Sequence, residues 1–216
     1  MRLLAAMAVV AGLSAEANAQ SADAARYKLE IAVTWSAQTH PLEFPSGAHF
    51  SDLVGATHDA RYLLFADGRT ATSGLELLAE NGRAAILRAE FAEAMRRGRI
   101  GSIFDGEGLY GPPGTMAAIF DVDATRRLVS FVTMIAPSPD WFTGLSSVDL
   151  MAGGAWTDRM EFALWAWDAG TDSGTSYNAP DDDTQPRESV RLLAGPAFFD
   201  DAGLKRVGTA TFVRQK

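Results

Sequence analysis

The chain has 216 residues, no cysteine, and a formal net charge of −8 from 27 acidic and 19 basic residues. With 47% hydrophobic and 21% charged residues it has enough apolar material for the core of one domain and is not of disordered composition. The lack of thiols excludes cysteine nucleophiles, zinc–thiolate sites and iron–sulfur clusters, and the acidity argues against nucleic acid as a partner and for divalent cations.

The N-terminus has the order of features of an export signal. Arg2 is the short basic region, Leu3 to Leu13 is an uncharged apolar stretch, and Ala17-Asn18-Ala19 is a small-x-small cleavage pattern. Cleavage is expected before Gln20, giving a signal peptide over residues 1–19, a linker over 20–25 and a secreted or periplasmic mature protein. The alternative is a buried N-terminal helix. No later segment has the roughly 18 consecutive apolar residues of a membrane-spanning helix.

The first element is Tyr27 to Trp35, where Tyr27, Leu29, Ile31, Val33 and Trp35 alternate with Lys28, Glu30, Ala32 and Thr34. A period of two over this length predicts a strand. Ser36 to Gly47 reads as a loop, because Pro41 and Pro45 cannot donate to a ladder. A short helical insertion is expected around residues 74–98. Leu75, Leu77 and Leu78 lie in its first helix, Asn81-Gly82 ends that helix, and Leu87, Phe91, Ala94 and Met95 form the apolar stripe of a second. That helix closes on Arg96, Arg97 and Arg99, a favourable charge for its C-terminal end and most simply a solvated one.

From residue 100 the chain is strand-like. Ala117–Val122 and Leu128–Ile135 flank the turn Asp123-Ala124-Thr125-Arg126 and are expected to pair as a hairpin. Glu161 to Trp167 is expected to be one strand, and Val190–Leu193 and Val207–Val213 two more. Short strands between Gly-, Pro- and Asp-rich loops predict a mainly β fold, an antiparallel β-sandwich with the helices in one crossover.

The chemistry concentrates between residues 137 and 174. Pro137-Ser138-Pro139-Asp140-Trp141-Phe142 is a rigid turn holding Asp140, and Trp167-Asp168-Ala169-Gly170-Thr171-Asp172-Ser173-Gly174 offers two carboxylates in a loop that glycine lets curl back. Carboxylates brought together on two stiff loops repel unless a cation joins them, and hard oxygen donors suit Ca2+ better than Mg2+. The competing reading is that Asp140, Asp168 and Asp172 each cap a turn through backbone amides.

Taken together, Leu128-Val129-Ser130-Phe131, Pro137 to Trp141 with Gly144, and Asp168 to Gly174 resemble the spondin N-terminal domain. Trp35, His40-Pro41, His49-Phe50-Ser51, His58, Gly74-Leu75, Ala79-Glu80 and Thr184-Gln185-Pro186 extend the likeness over residues 26–214. The resemblance implies a sandwich with a C2-like layout and a bound calcium ion, with Asp140, Asp168 and Asp172 as its ligands. No motif carries Glu80 into that set. It also implies an extracellular adhesion role, contacting a matrix, cell-surface or glycan component. The animal relatives carry cysteines and this chain has none, so their particular partners do not transfer.

Other readings are weaker. Asp172-Ser173-Gly174 contains a string found in hydrolases, but an aspartic dyad needs two such loops, and a serine nucleophile needs a histidine. His40, His49 and His58 have no metal-ligand spacing. The loop from Asp168 fails as an EF-hand, having Gly170 at its third position and Ala179 at its twelfth. Trp141, Trp165 and Trp167 are expected mainly in the core, with sugar stacking on an exposed face as the alternative.

Overall fold

The computed structural model describes residues 23–216, so the expected signal peptide over 1–19 and the cleavage before Gln20 lie outside the described residues. Strand β1 spans Ala24–Val33, which means the last two residues of the expected linker already belong to the sheet. Then follow β2 (His49–Phe50), β3 (Leu53–His58), helices α1 (Ser73–Asn81) and α2 (Ala85–Arg96), β4 (Ile100–Gly106), β5 (Leu109–Tyr110) and β6 (Gly114–Asp123). The second half contains β7 (Leu128–Ala136), β8 (Trp141–Asp149), β9 (Met151–Ala152), β10 (Ala155–Trp156), β11 (Arg159–Leu164) and β12 (Ala166–Asp168). It ends with β13 (Arg191–Leu192), β14 (Phe199–Asp200), β15 (Gly203–Leu204) and β16 (Gly208–Gln215).

Two antiparallel sheets stack face to face, as the strand pattern predicts. The first has the order β11-β16-β1-β6, and the second runs β13-β12-β8-β7-β2-β5, with β3 joining β7 to β4. Residues Tyr27, Leu29 and Ile31 of β1 are buried and their neighbours largely exposed, because only one face of the first sheet meets the core. In β7 every residue after Leu128 is buried. Its Phe131 and Ile135 face the first sheet, while Val132 and Met134 face the two helices. The fold therefore has three layers, and the central sheet is covered on both sides.

The helices end where the sequence predicts. Gly82 takes a left-handed φ of 67° at the end of α1 and its N–H bonds back into the helix. Thr72 caps the start, its hydroxyl accepting from Leu75 N. In α2, Leu87, Phe91 and Ala94 are buried, but Met95 is 37% exposed and does not belong to the stripe.

Two expected strand arrangements are corrected. β6 and β7 do not form a hairpin: β6 pairs with β1 in the first sheet, and β7 pairs with β3 and β8 in the second. Between them Asp123 caps a 3₁₀ turn over Ala124–Arg126, its carboxylate accepting from Thr125 N and Arg126 N. A strand apolar on both faces gains more in the doubly covered sheet than beside a strand with a solvated face. Likewise Glu161–Trp167 is not one strand. It breaks at Trp165, so that β11 lies in the first sheet and β12 in the second.

Candidate metal site

Both acidic motifs leave strands of the central sheet at the same end. After β7, Ser138 ties the turn, its hydroxyl donating to Ile135 O at 2.5 Å and accepting from Trp141 N at 3.1 Å. This fixes Asp140 directly ahead of β8. Asp168 ends β12, which pairs with the start of β8 so that Asp168 stands opposite Trp141. The loop then turns sharply at Gly170, with φ of 72°. A side chain there would also meet the Glu188 carbonyl carbon at 2.7 Å, so glycine is required on both counts.

The sequence-expected residues converge. Asp140 Oδ2 accepts from Thr171 N at 2.7 Å and Asp172 N at 3.2 Å, joining the two motifs directly. Asp168 Oδ1 accepts from Gly170 N, and Asp172 accepts from Gly174 N and Asp182 N. Turn capping is thus part of what these carboxylates do. All three are nearly fully buried, at 0%, 4% and 5% exposure. Burial, and then the negative charge of Asp168, push the Asp140 carboxyl up to about 6, against the pull of the Thr171 and Asp172 amides. Burial also raises Asp168, although Arg191 lies 3.1 Å from its Oδ2 and works in the other direction.

Asp140 Oδ1 is buried and carries no hydrogen bond. Buried polar oxygens are rarely left so, and a carboxylate oxygen in this state is a ligand in search of a donor or a cation. The donor set is all hard oxygen, the chemistry calcium takes. Backbone capping does not exhaust it, since each carboxylate oxygen has more than one lone pair. Among the described residues, however, no three His, Asp or Glu side chains already stand in a cation-enclosing arrangement. The fit therefore rests on the donor chemistry and the orphaned oxygen.

Sequence reasoning missed Thr171, which stitches the loops together, and Arg191, whose guanidinium faces Asp168. Thr171 sits inside the acidic motif and was open to notice, whereas Arg191 arrives from a distant strand with no local signal. Glu80 of α1 approaches the same loop. Burial raises its pKa, a hydrogen bond with the Thr171 side chain opposes that, and the charge of Asp172 adds to it.

The histidines do not assemble into a metal site or a triad with Ser173. Ser173 Oγ pairs with Thr184 Oγ1 at 2.8 Å. His58 Nε2 contacts Ser130 Oγ at 2.7 Å, but both residues are fully buried. His40 bonds Thr39 and His49 bonds the Gly47 carbonyl. Trp141 is a core residue, edge-on to Tyr177 and Phe198. Trp165 and Trp167 are only half-buried; Trp167 still packs against the core beneath the helices, whereas the expectation of a core position is corrected for Trp165.

Residues 25–200 match the Spondin_N family. The chain belongs to that family. It is 34% identical to Spondin-1 of Mus musculus over 192 residues, covering 83% of this chain and 24% of the relative. It is 34% identical to Spondin-2 of Rattus norvegicus over 227 residues, covering 98% of this chain and 69% of the relative. Spondin-2 of Homo sapiens is 33% identical over 77% of this chain. The chain thus spans about a quarter of the length of the Spondin-1 relatives. Membership assigns it to a secreted class of proteins. The family match stops at residue 200, yet β16, Gly208–Gln215, sits between β11 and β1, so the structural unit of this spondin domain runs nearly to the C-terminus. Among the described residues no helix is long and apolar enough to cross a membrane.

Proposed function

We propose that this spondin domain is an exported, calcium-binding adhesion module, in which Asp140, Asp168 and Asp172 hold one Ca2+ and fix the loops at one end of the sandwich. The observation that carries the reading is the buried Asp140 Oδ1, a carboxylate oxygen with no partner, on a turn hydrogen-bonded to the loop that bears the buried Asp168 and Asp172. Calcium would neutralise their repulsion and cross-link the β7–β8 turn to the loop after β12. Arg191 supplies only one positive charge to the group. The module recognises a matrix, cell-surface or glycan component and turns nothing over; Ser173 is engaged by Thr184 rather than by an imidazole.

The test has two arms. Isothermal titration of chelator-stripped protein with CaCl2 should give one site per chain, and the protein with all three aspartates changed to Asn should give none. Binding to arrays of glycans and matrix proteins should be calcium-dependent, while a panel of ester and peptide substrates shows no turnover. Turnover lost in Ser173→Ala would replace the adhesion reading with a hydrolytic one.

A further inference from the structure

On the outer face of the central sheet the helical layer stops short. The segment after β3 crosses this face and is anchored by the buried Phe65, edge-on to Phe142 at 5.0 Å and to Trp167 at 5.4 Å. Beyond Phe65 the sheet is open. A cleft of about 320 Å³ lies there, walled by Leu63, Leu145, Trp165 and Trp167, with Ser146 and Ser147 beside them. No charged residue lines it.

The shape of this cleft comes from two local irregularities. Trp165 is the residue at which the chain passes from the first sheet to the second, so it lies outside both ladders. In β8 the register against β7 shifts between Val129 and Phe131, which leaves Ser146 and Ser147 opposite the single residue Ser130. This bulge puts Ser147 at φ of 60° and is pinned by Ser147 N donating to Ser130 Oγ at 2.8 Å. Bulges re-aim side chains, and they occur preferentially beside functional sites. Ser146 Oγ is buried and has no hydrogen bond.

We infer that this cleft binds a neutral sugar ring. The inference rests on the recognition function proposed above and names its ligand class. Half-buried indoles and the 47%-exposed Leu63 offer a flat apolar wall that water covers poorly, suited to the C–H face of a pyranose. The polar part of the lining is two serines, Ser146 and Ser147, which suits a ligand that brings hydroxyl groups. A charged ligand would be desolvated here with no counter-charge. The volume falls at the low end of the roughly 300–1,000 Å³ of small-molecule sites, room for one or two rings rather than a long chain.

The full-length mature protein should be screened on an array of neutral, sulfated and sialylated glycans alongside matrix proteins, and then titrated with the best neutral oligosaccharide while tryptophan fluorescence is followed. Binding to neutral glycans with a fluorescence change is expected. Trp165→Ala should weaken it at least tenfold, Leu63→Asp at the exposed rim similarly, and Ser146→Ala several-fold, with melting temperatures checked so that folding loss is separated from binding loss. Neutral-glycan binding unchanged in both Trp165→Ala and Leu63→Asp overturns the site. Capture of matrix proteins or charged glycans alone overturns the sugar inference and leaves the adhesion reading standing. Capture of nothing in calcium overturns both.

Discussion

The two ends of the sandwich carry opposite charge, and they handle it differently. β7 starts just after Arg126 and Arg127 and ends just before the Asp140 turn, so one strand of nine residues, roughly 30 Å at 3.3 Å each, separates an arginine-rich end from an acidic one. At the arginine end the ion pairs are exposed or only partly buried. Arg61 pairs with Asp59 at 2.6 Å, Arg126 with Asp123 at 3.1 Å and Arg127 with Asp149 at 3.0 Å. Arg96 and Arg97 share Glu93. At the acidic end the carboxylates are buried together against one arginine. Exposed pairs are screened and contribute about 0–1 kcal/mol each, whereas buried like charges shift one another's protonation and need a cation or backbone donors. The acidic end should therefore respond to ions, loop geometry and pH, and the arginine end should respond to almost nothing.

The sharpest way to break this contrast is to supply or remove calcium. At one hundred times Kd the expected stabilisation is about 2.7 kcal/mol, or roughly 5–10 °C in melting temperature for a domain of this size. Asp140→Asn should abolish most of that rise, while in chelator it should melt no lower than the parent, because it removes a buried charge. Protons compete for the same oxygens, so the calcium response should fade as the pH falls through about 6, where the Asp140 carboxyl titrates. Identical melting curves with calcium and with chelator, starting from metal-free protein, would end the calcium reading.

Loop geometry comes next. Gly170→Ala places a methyl against the Glu188 carbonyl in a backbone conformation that alanine resists. A loss of about 1–3 kcal/mol is expected, together with weaker calcium binding. If denaturant melts show no loss, the Glu188 backbone does not close against Gly170.

A separate pH effect should come from His40, also at the acidic end, where its ring stands 5.4 Å from Phe198. Burial, with Lys205 adding, pushes His40 down to about 4 from an ordinary 6.5. The unfolded chain therefore takes up the proton first. Its contribution is complete above about 6.5 and is lost as the pH falls toward 4. His40→Gln should flatten that part of the stability profile relative to the parent. An unchanged slope would place the ring in water.

The arginine end supplies the smallest change. Arg127→Ala should alter stability by no more than about 1 kcal/mol, and 1 M NaCl should erase the difference. A larger, salt-resistant loss would mean that the two ends are not as different as their burial implies.

Several features were decided by the sequence alone, because they depend only on near neighbours. The alternation in Tyr27 to Trp35 gave a strand, Asn81-Gly82 stopped a helix, and Pro137 to Asp140 with Asp168 to Gly174 marked the acidic loops. Even the convergence of those loops was readable once the family resemblance was seen. Other features needed partners far away in the chain. Leu29 pairs with both Ala118 and Phe212, and nothing near Leu29 names either. Hydrophobic periodicity reports how many faces of a strand are buried, but not which sheet buries them. That is why β6 and β7 separate across two layers and why the run through Trp165 splits. Only the tertiary structure decided that Asp140 Oδ1 has no partner and that Trp165 and Trp167 border open solvent. Both depend on where a covering layer ends, and that edge is set by the packing of the whole fold.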